Sequence, residues 1–168
     1  MTPKPSLAGL PPPFDQLLER YEREILRFIM RTTRDREDAL DLFQETWMRA
    51  YRAYPQLKSA ADLRAWLYRI AANLCLNRSR DRARRARVFA DGVALPEHDG
   101  VRRGDPREHW LSVKKLIERL PRKQQAAIMM RKVAGLEYDE IAQALGCSSE
   151  SARADVYQAM KKLRMVEE

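Results

Sequence analysis

The chain has 168 residues, 33% of them charged and 45% hydrophobic, with a net charge of +8. That composition fits a soluble globular protein of one medium domain or two small ones and excludes a disordered chain. The positive balance points to a polyanionic partner, of which nucleic acid is the commonest. No apolar run approaches the roughly 20 residues that a bilayer span requires.

Residues 1–13 carry several prolines and no apolar stretch of the kind a secretory signal needs, so a disordered tail is expected there. With nothing after Glu168, no appended sensor domain is expected. Cys75 and Cys147 make no disulfide framework and read as small buried hydrophobes. His98 and His109 stand alone, and no Cys/His cluster has zinc-ligand spacing.

Phe14, Leu17, Leu18, Tyr21, Ile25, Phe28 and Ile29 recur at three and four and predict a first amphipathic helix ending near 31–33. Asp35 is placed to cap a second helix, which Pro55 stops. On that second helix Leu40, Phe43, Trp47, Ala50 and Tyr54 share an apolar face. Asp41, Gln44, Glu45 and Met48 lie opposite, a compact acidic patch in a basic chain. Taken alone, such a patch is also what an ordinary solvated helix face offers. Residues 56–61 read as a loop, with Asp62 as the cap of a third helix over about 63–85. Leu63, Trp66, Leu67, Ile70 and Leu74 form its apolar stripe, and its end is strongly basic from Arg78 to Arg87. Several guanidiniums on one helix can track phosphates, with salt-dependent rather than sequence-specific binding.

Gly92, Pro96, Gly100 and Gly104 break the helical pattern, so 88–104 is expected to be a flexible linker. Asp105-Pro106 is a strong helix start. Two helices follow, separated by Pro121, and Gly135 suits the left-handed end of the second. Residues 136–148 then give a short helix, a glycine turn at Gly146 and a serine cap at Ser148, leading into a last helix over 149–164. Ala152, Val156, Ala159 and Leu163 point inward on it; Arg153, Ala154, Tyr157, Gln158 and Lys161 point outward. In a major groove, Arg and Gln can read base edges while Lys and Tyr reach phosphates. The same punctuation also fits a helical hairpin with no DNA role.

Three stretches carry a family resemblance. Asp41-Leu42-x-Gln44-Glu45-x-Trp47 with Tyr51 resembles the core-binding helix of sigma-70 family RNA polymerase sigma factors, closest to the extracytoplasmic-function (ECF) group. Trp66-Leu67-Tyr68-Arg69-Ile70-Ala71-Ala72-Asn73-Leu74 resembles the promoter-melting helix of that group. Gly135-Leu136-x-Tyr138-x-Glu140-Ile141-Ala142 is the most specific part of a stretch, 120–164, that looks like its −35-binding domain. The resemblance implies an all-α fold: region 2 over 14–87 and a helix-turn-helix region 4 over 105–168, joined by the linker. It implies core-polymerase contacts at Asp41, Gln44, Glu45 and Met48. It implies −10 contacts at Gln56, Lys58, Arg64, Arg69, Asn73, Asn77, Arg78 and Arg80, with Asn73 and the 56–61 loop trapping a flipped base. It implies −35 contacts at Ser149, Ser151, Arg153, Ala154, Tyr157, Gln158 and Lys161. Core RNA polymerase, promoter DNA and an anti-sigma factor are the implied partners, with a cytoplasmic location. No metal, nucleotide or other cofactor, and no enzymatic step, is expected of the chain itself.

Two stretches depart from the family's pattern. Asn77 stands where an aspartate is frequent. Asp155, Gln158 and Met160 occupy a stretch usually richer in arginine, and Asp155 is expected on the flank, repelling phosphate and weakening or altering −35 binding. Two alternative functions stand beside this one. A stand-alone helix-turn-helix repressor would use the N-terminal half for dimerisation or ligand binding. A nucleic-acid enzyme lacks a paired-carboxylate metal site or a Gly-rich phosphate loop.

Overall fold

A computed structural model describes residues 11–33, 35–57, 62–90 and 106–164, without the side chains of 89–90 and 106–111. Residues 91–104 of the linker expected over 88–104, most of the N-terminal tail and most of the 56–61 loop, including Lys58, lie outside the described residues, whereas 88–90 are helical and belong to the helix before the linker. All regular structure among them is helical: α1 (Phe14–Thr33), α2 (Arg36–Ala53), α3 (Leu63–Ala90), α4 (Pro106–Glu118), α5 (Arg122–Lys132), α6 (Tyr138–Leu145) and α7 (Ser149–Arg164).

The first three helices pack pairwise on one another. Leu17, Ile25, Phe28 and Ile29 of α1 meet Leu42 and Trp47 of α2 and Leu67, Tyr68 and Leu74 of α3 in one buried core. Phe28 and Tyr68 meet edge to face with centroids 5.1 Å apart, the arrangement that ring quadrupoles favour. Asp35 caps α2 as its sequence position predicts, accepting from the Asp38 N–H at 2.9 Å. Loss of such a cap costs about 1 kcal/mol. Pro55 ends the regular helix at Ala53 and leaves a single 3-10 turn, Tyr54–Gln56. Asp62 stands before α3 in the left-handed region, φ 67°, its carbonyl accepting from the Trp66 N–H; aspartate is one of the few side chains that tolerates this conformation.

Two sequence expectations for this half are corrected. The core stripe of α2 is Ala39, Leu42, Thr46, Trp47 and Ala50, and Leu40 is 41% exposed. Small Ala39 and the buried Thr46, whose hydroxyl is satisfied by the Leu42 carbonyl at 2.6 Å, carry little apolar signal and hid the true centre of the face. The third helix also runs past 85 to Ala90, because nothing among 86–90 breaks it: the first glycine is Gly92.

In the second half α5, α6 and α7 pack on one another, with α4 against α7. Ala142 and Ala144 of α6 and Ala152 and Ala159 of α7 are all buried, and small side chains of this kind let helix backbones approach. Gly135 and Gly146 adopt φ of 71° and 64°, conformations that cost other residues strain. The Gly146 turn is closed by the Cys147 N–H donating to the Ala142 carbonyl at 3.0 Å, as in a Schellman end. Glu137 and Glu140 form a reciprocal capping box at the start of α6.

The two halves touch. Helix α3 packs against α5 and α6, and the contact is partly polar. The guanidinium of Arg64 is shared between Glu24 of α1 and Glu140 of α6. Arg122 at the start of α5 donates to the Asn77 side-chain oxygen at 2.8 Å and to that of Asn73 at 3.5 Å.

Candidate polymerase and DNA interfaces

Three surfaces gather the residues singled out by sequence. The first is the outer face of α2. Asp41, Gln44 and Met48 are exposed there and Glu45 is half-exposed. Glu45 is paired only within its own helix, to Arg49 at 2.6 Å. Leu40 and Tyr51 belong to the same face, since positions 40, 44, 48 and 51 stack along one side of a helix. Tyr51 is 65% and Met48 49% exposed. Sequence reasoning put Leu40 in the core and used Tyr51 only as part of a motif; an apolar strip beside two carboxylates is the signal it missed. An exposed Leu-Met-Tyr strip is costly in water and marks a contact surface.

The second surface is on α3. Arg69, Asn73, Asn77 and Arg80 are exposed, and their spacing of four, four and three aligns them as one stripe. Arg64 and Arg78 do not join it. Arg64 sits on the far side of the helix in its pair of carboxylate contacts, its Nε donating to Glu24 Oε1 at 2.7 Å. Tyr68 donates to the same Glu24 oxygen at 2.8 Å. Burial lowers the pKa of Arg64, but hydrogen bonds and charge from Glu24 and Glu140 outweigh it and leave the pKa raised, so the cation is permanent. Burial and the adjacent Glu24 raise the Tyr68 phenol in the same way, so it remains a donor. Arg78 is tied to Asp38 of α2 at 2.9 Å. Gln56 is exposed at the end of the 3-10 turn.

The third surface is α7. Arg153, Ala154, Tyr157, Gln158 and Lys161 are all exposed, and Ala152, Val156 and Ala159 are buried, as the pattern predicts. Ser149 is engaged with Asp139 of α6, and the Ser151 N–H is accepted by Ser148 Oγ at 3.2 Å, completing the cap. Arg131 and Lys132 from the end of α5 and Arg164 line the same open groove as Arg153 and Lys161. Sequence reasoning did not collect these, because Arg131 and Lys132 are brought in by the α5–α7 packing alone. Asp155 is corrected: it is half-buried toward α5, 3.9 Å from Lys123 Nζ. It is not among the residues that line the basic groove.

The cysteines are both free. Cys75 is buried, which pushes its thiol up to about 12; Cys147 is partly exposed. No described helix is long and apolar enough to cross a membrane.

Comparison with known proteins fits this architecture. Sigma-70 region 2 matches residues 17–85 and Sigma-70 region 4 matches residues 110–163. The RNA polymerase sigma-H factor of Pseudomonas aeruginosa is 30% identical over 161 residues, covering 89% of this chain and 83% of the relative. The ECF sigma-E factor of Salmonella typhimurium is 30% identical over 166 residues, covering 89% of this chain and 84% of that protein. Among solved structures, the sigma factor RpoE of Bartonella quintana, in complex with the anti-sigma factor NepR, superposes with a TM-score of 0.60 at 25% identity, covering 90% of this chain and 94% of that one. CnrH, solved with the cytosolic domain of CnrY, has the same fold, with a TM-score of 0.62 at 23% identity over 91% of this chain and 86% of its own.

With both region patterns in order along one helical chain, the protein belongs to the sigma-70 family, in its ECF group. It works as a transcription initiation factor with core RNA polymerase and promoter DNA. A stand-alone repressor is not favoured.

Proposed function

We propose a residue-level division of labour for this sigma factor, resting on the separation of three exposed surfaces on three different helices. The α2 face docks on core polymerase through Asp41, Gln44, Glu45 and Met48, with Leu40 and Tyr51 supplying apolar contact. Its carboxylates set orientation and partner choice, while the apolar strip is desolvated. The α3 stripe works at the −10 element. Arg69 and Arg80 neutralise phosphates, and Asn73, with Asn77 beside it, offers a donor and an acceptor to the edge of an extruded base. Gln56 stands at the end of the 3-10 turn, where the loop that follows would complete a pocket. Arg64 and Arg78 hold the helix in place through Glu24, Glu140 and Asp38 rather than through phosphates. The α7 face lies in the −35 major groove, Arg153 and Gln158 at base edges and Tyr157 and Lys161 at phosphates.

Extruding a base costs a few kcal/mol, offset by the contacts that receive it. The chain then acts by binding and positioning in the cytoplasm, without catalysing a bond change itself. Arg122 donates to the side-chain oxygens of Asn73 and Asn77 in this arrangement, so moving α5 off α3 would free those acceptors.

The observation that carries the −10 assignment is the alignment of four exposed polar residues on α3. Asn73→Ala tests it. Open-complex formation is expected to fall about tenfold, with duplex promoter binding changed less than twofold. Equal losses in both would remove Asn73 as the base reader. We also propose that an anti-sigma protein holds the chain inactive, supported by the exposed apolar strip on α2 and by the complex of the RpoE neighbour with the anti-sigma factor NepR. Gel filtration of native extracts should then find the protein with a second partner besides polymerase; recovery with polymerase alone would remove that part.

A further inference from the structure

Tyr138, the first residue of α6, carries two guanidiniums over its ring. The Arg153 guanidinium carbon lies 5.0 Å from the ring centroid and that of Arg131 lies 4.9 Å from it. Both distances fall inside the range where the ring quadrupole attracts a cation. Arg131 is fixed in turn, donating to the Leu136 carbonyl at 2.8 Å and pairing with Glu137 at 3.0 Å. Arg153 has no such anchor. It is exposed on α7, and none of the ion pairs among the described residues includes it. Its described restraint is the Tyr138 ring. All three residues line the basic groove of the helix-turn-helix.

An unrestrained arginine loses much rotamer freedom when its planar fork is fixed on a base. A ring that already holds the guanidinium removes part of that loss, as preorganisation does in other interfaces. We infer that Tyr138 is the positioning residue for base reading at −35: its ring holds Arg153 ready to meet the O6 and N7 acceptors of a guanine in the major groove. This rests on the reading of α7 as the −35 helix. Tyr138 itself need not touch DNA. Its hydroxyl is dispensable in this role, because the attraction comes from the ring face.

The test uses the full chain with core polymerase on a promoter library randomised across the −35 element, with transcripts sequenced and base preference scored position by position. Arg153→Ala defines the position that Arg153 reads. Tyr138→Leu and Tyr138→Met, of which the variant with the unchanged melting temperature is scored, should cut the guanine preference at that position about three- to tenfold. Preference elsewhere in the element should stay within about twofold. Tyr138→Phe should keep the wild-type profile. Tyr138→Leu combined with Arg153→Ala should be no worse than Arg153→Ala alone, since Tyr138 acts through Arg153. A uniform fall across all −35 sequences, a Phe variant as poor as the aliphatic ones, or a double variant far below the single would overturn the inference. If the wild type discriminates at −35 but Arg153→Ala changes nothing, the positioning role fails while the DNA reading of α7 stands. If the wild type shows no −35 preference, that reading fails first and the inference with it.

Discussion

The outer face of α2 and the polar stripe of α3 are built from opposite materials and stand in opposite states. On α2, Leu40, Met48 and Tyr51 are exposed beside Asp41 and Gln44 among the described residues. On α3, Asn73 and Asn77 are exposed yet already engaged by Arg122, and Arg64 nearby is clasped by Glu140. A surface of apolar and acidic residues is ready for a protein. A surface of amides and arginines suits nucleic acid, and separating the halves would free the amide oxygens that Arg122 holds. On the proposed assignment of these surfaces, the difference implies an order of events: docking on polymerase first, access to the −10 strand second.

The largest expected effect breaks the first surface. Asp41→Arg with Glu45→Arg places cations where carboxylates stood, and like-charge contacts across an interface cost several kcal/mol. Affinity for core polymerase should drop at least about a hundredfold in a pull-down titration, with the circular dichroism melt unchanged because both positions face out. Retained co-purification would contradict the docking assignment. A smaller loss, about tenfold, is expected for Tyr51→Ala or Leu40→Ala, the apolar members that sequence reasoning left out. An unchanged affinity would confine docking to the acidic residues.

The closed state is probed more gently. Glu140→Gln keeps a capping-box acceptor for Glu137 but removes the charge facing Arg64. A partly exposed pair of this kind is worth up to about 1 kcal/mol. The closed-to-open ratio should therefore fall by up to about fivefold, read as a longer mean distance between dyes on α2 and α7. The pH dependence has a definite sign. Burial alone would raise the Glu140 carboxyl, but the Glu137 N–H and the Arg64 guanidinium leave it below its ordinary value. A depressed carboxyl contributes stability that is complete above the ordinary carboxylate range and is lost as pH falls through its folded value. The same dye distance should be flat from neutral to alkaline pH and lengthen only on acidification. Lengthening on the alkaline side would contradict the pair. The smallest effect is on thiol labelling: Cys147 should react with a thiol reagent well ahead of Cys75, whose burial pushes its pKa up to about 12.

Much of this was legible in sequence because it rests on local rules. Asp35, Pro55, Gly135 and Gly146 each announce a helix end, and each does so in the structure. The outward set on α7 followed from spacing alone. The features that were not legible depend on neighbours distant in the chain. Arg64 and Asn73 look alike as polar helix residues, yet Glu24 and Glu140 draw one inward and leave the other out. Asp155 reads as a flaw in a DNA-binding helix until Lys123, on a different helix, is found beside it. Leu40 was misassigned because alanine and threonine can centre a core face as well as leucine can. Local spacing shows which residues share a face, and packing decides what that face meets.

The central claim, that one chain directs core polymerase to two-part promoters, is tested most directly by transcription in vitro from a pool of random promoter fragments with the protein and bacterial core enzyme. The account predicts transcripts whose start sites share a −35 and a −10 element at fixed spacing, and their absence with the Asp41→Arg/Glu45→Arg protein. No transcripts from the wild type, while the protein alone still shifts duplex DNA, would contradict it.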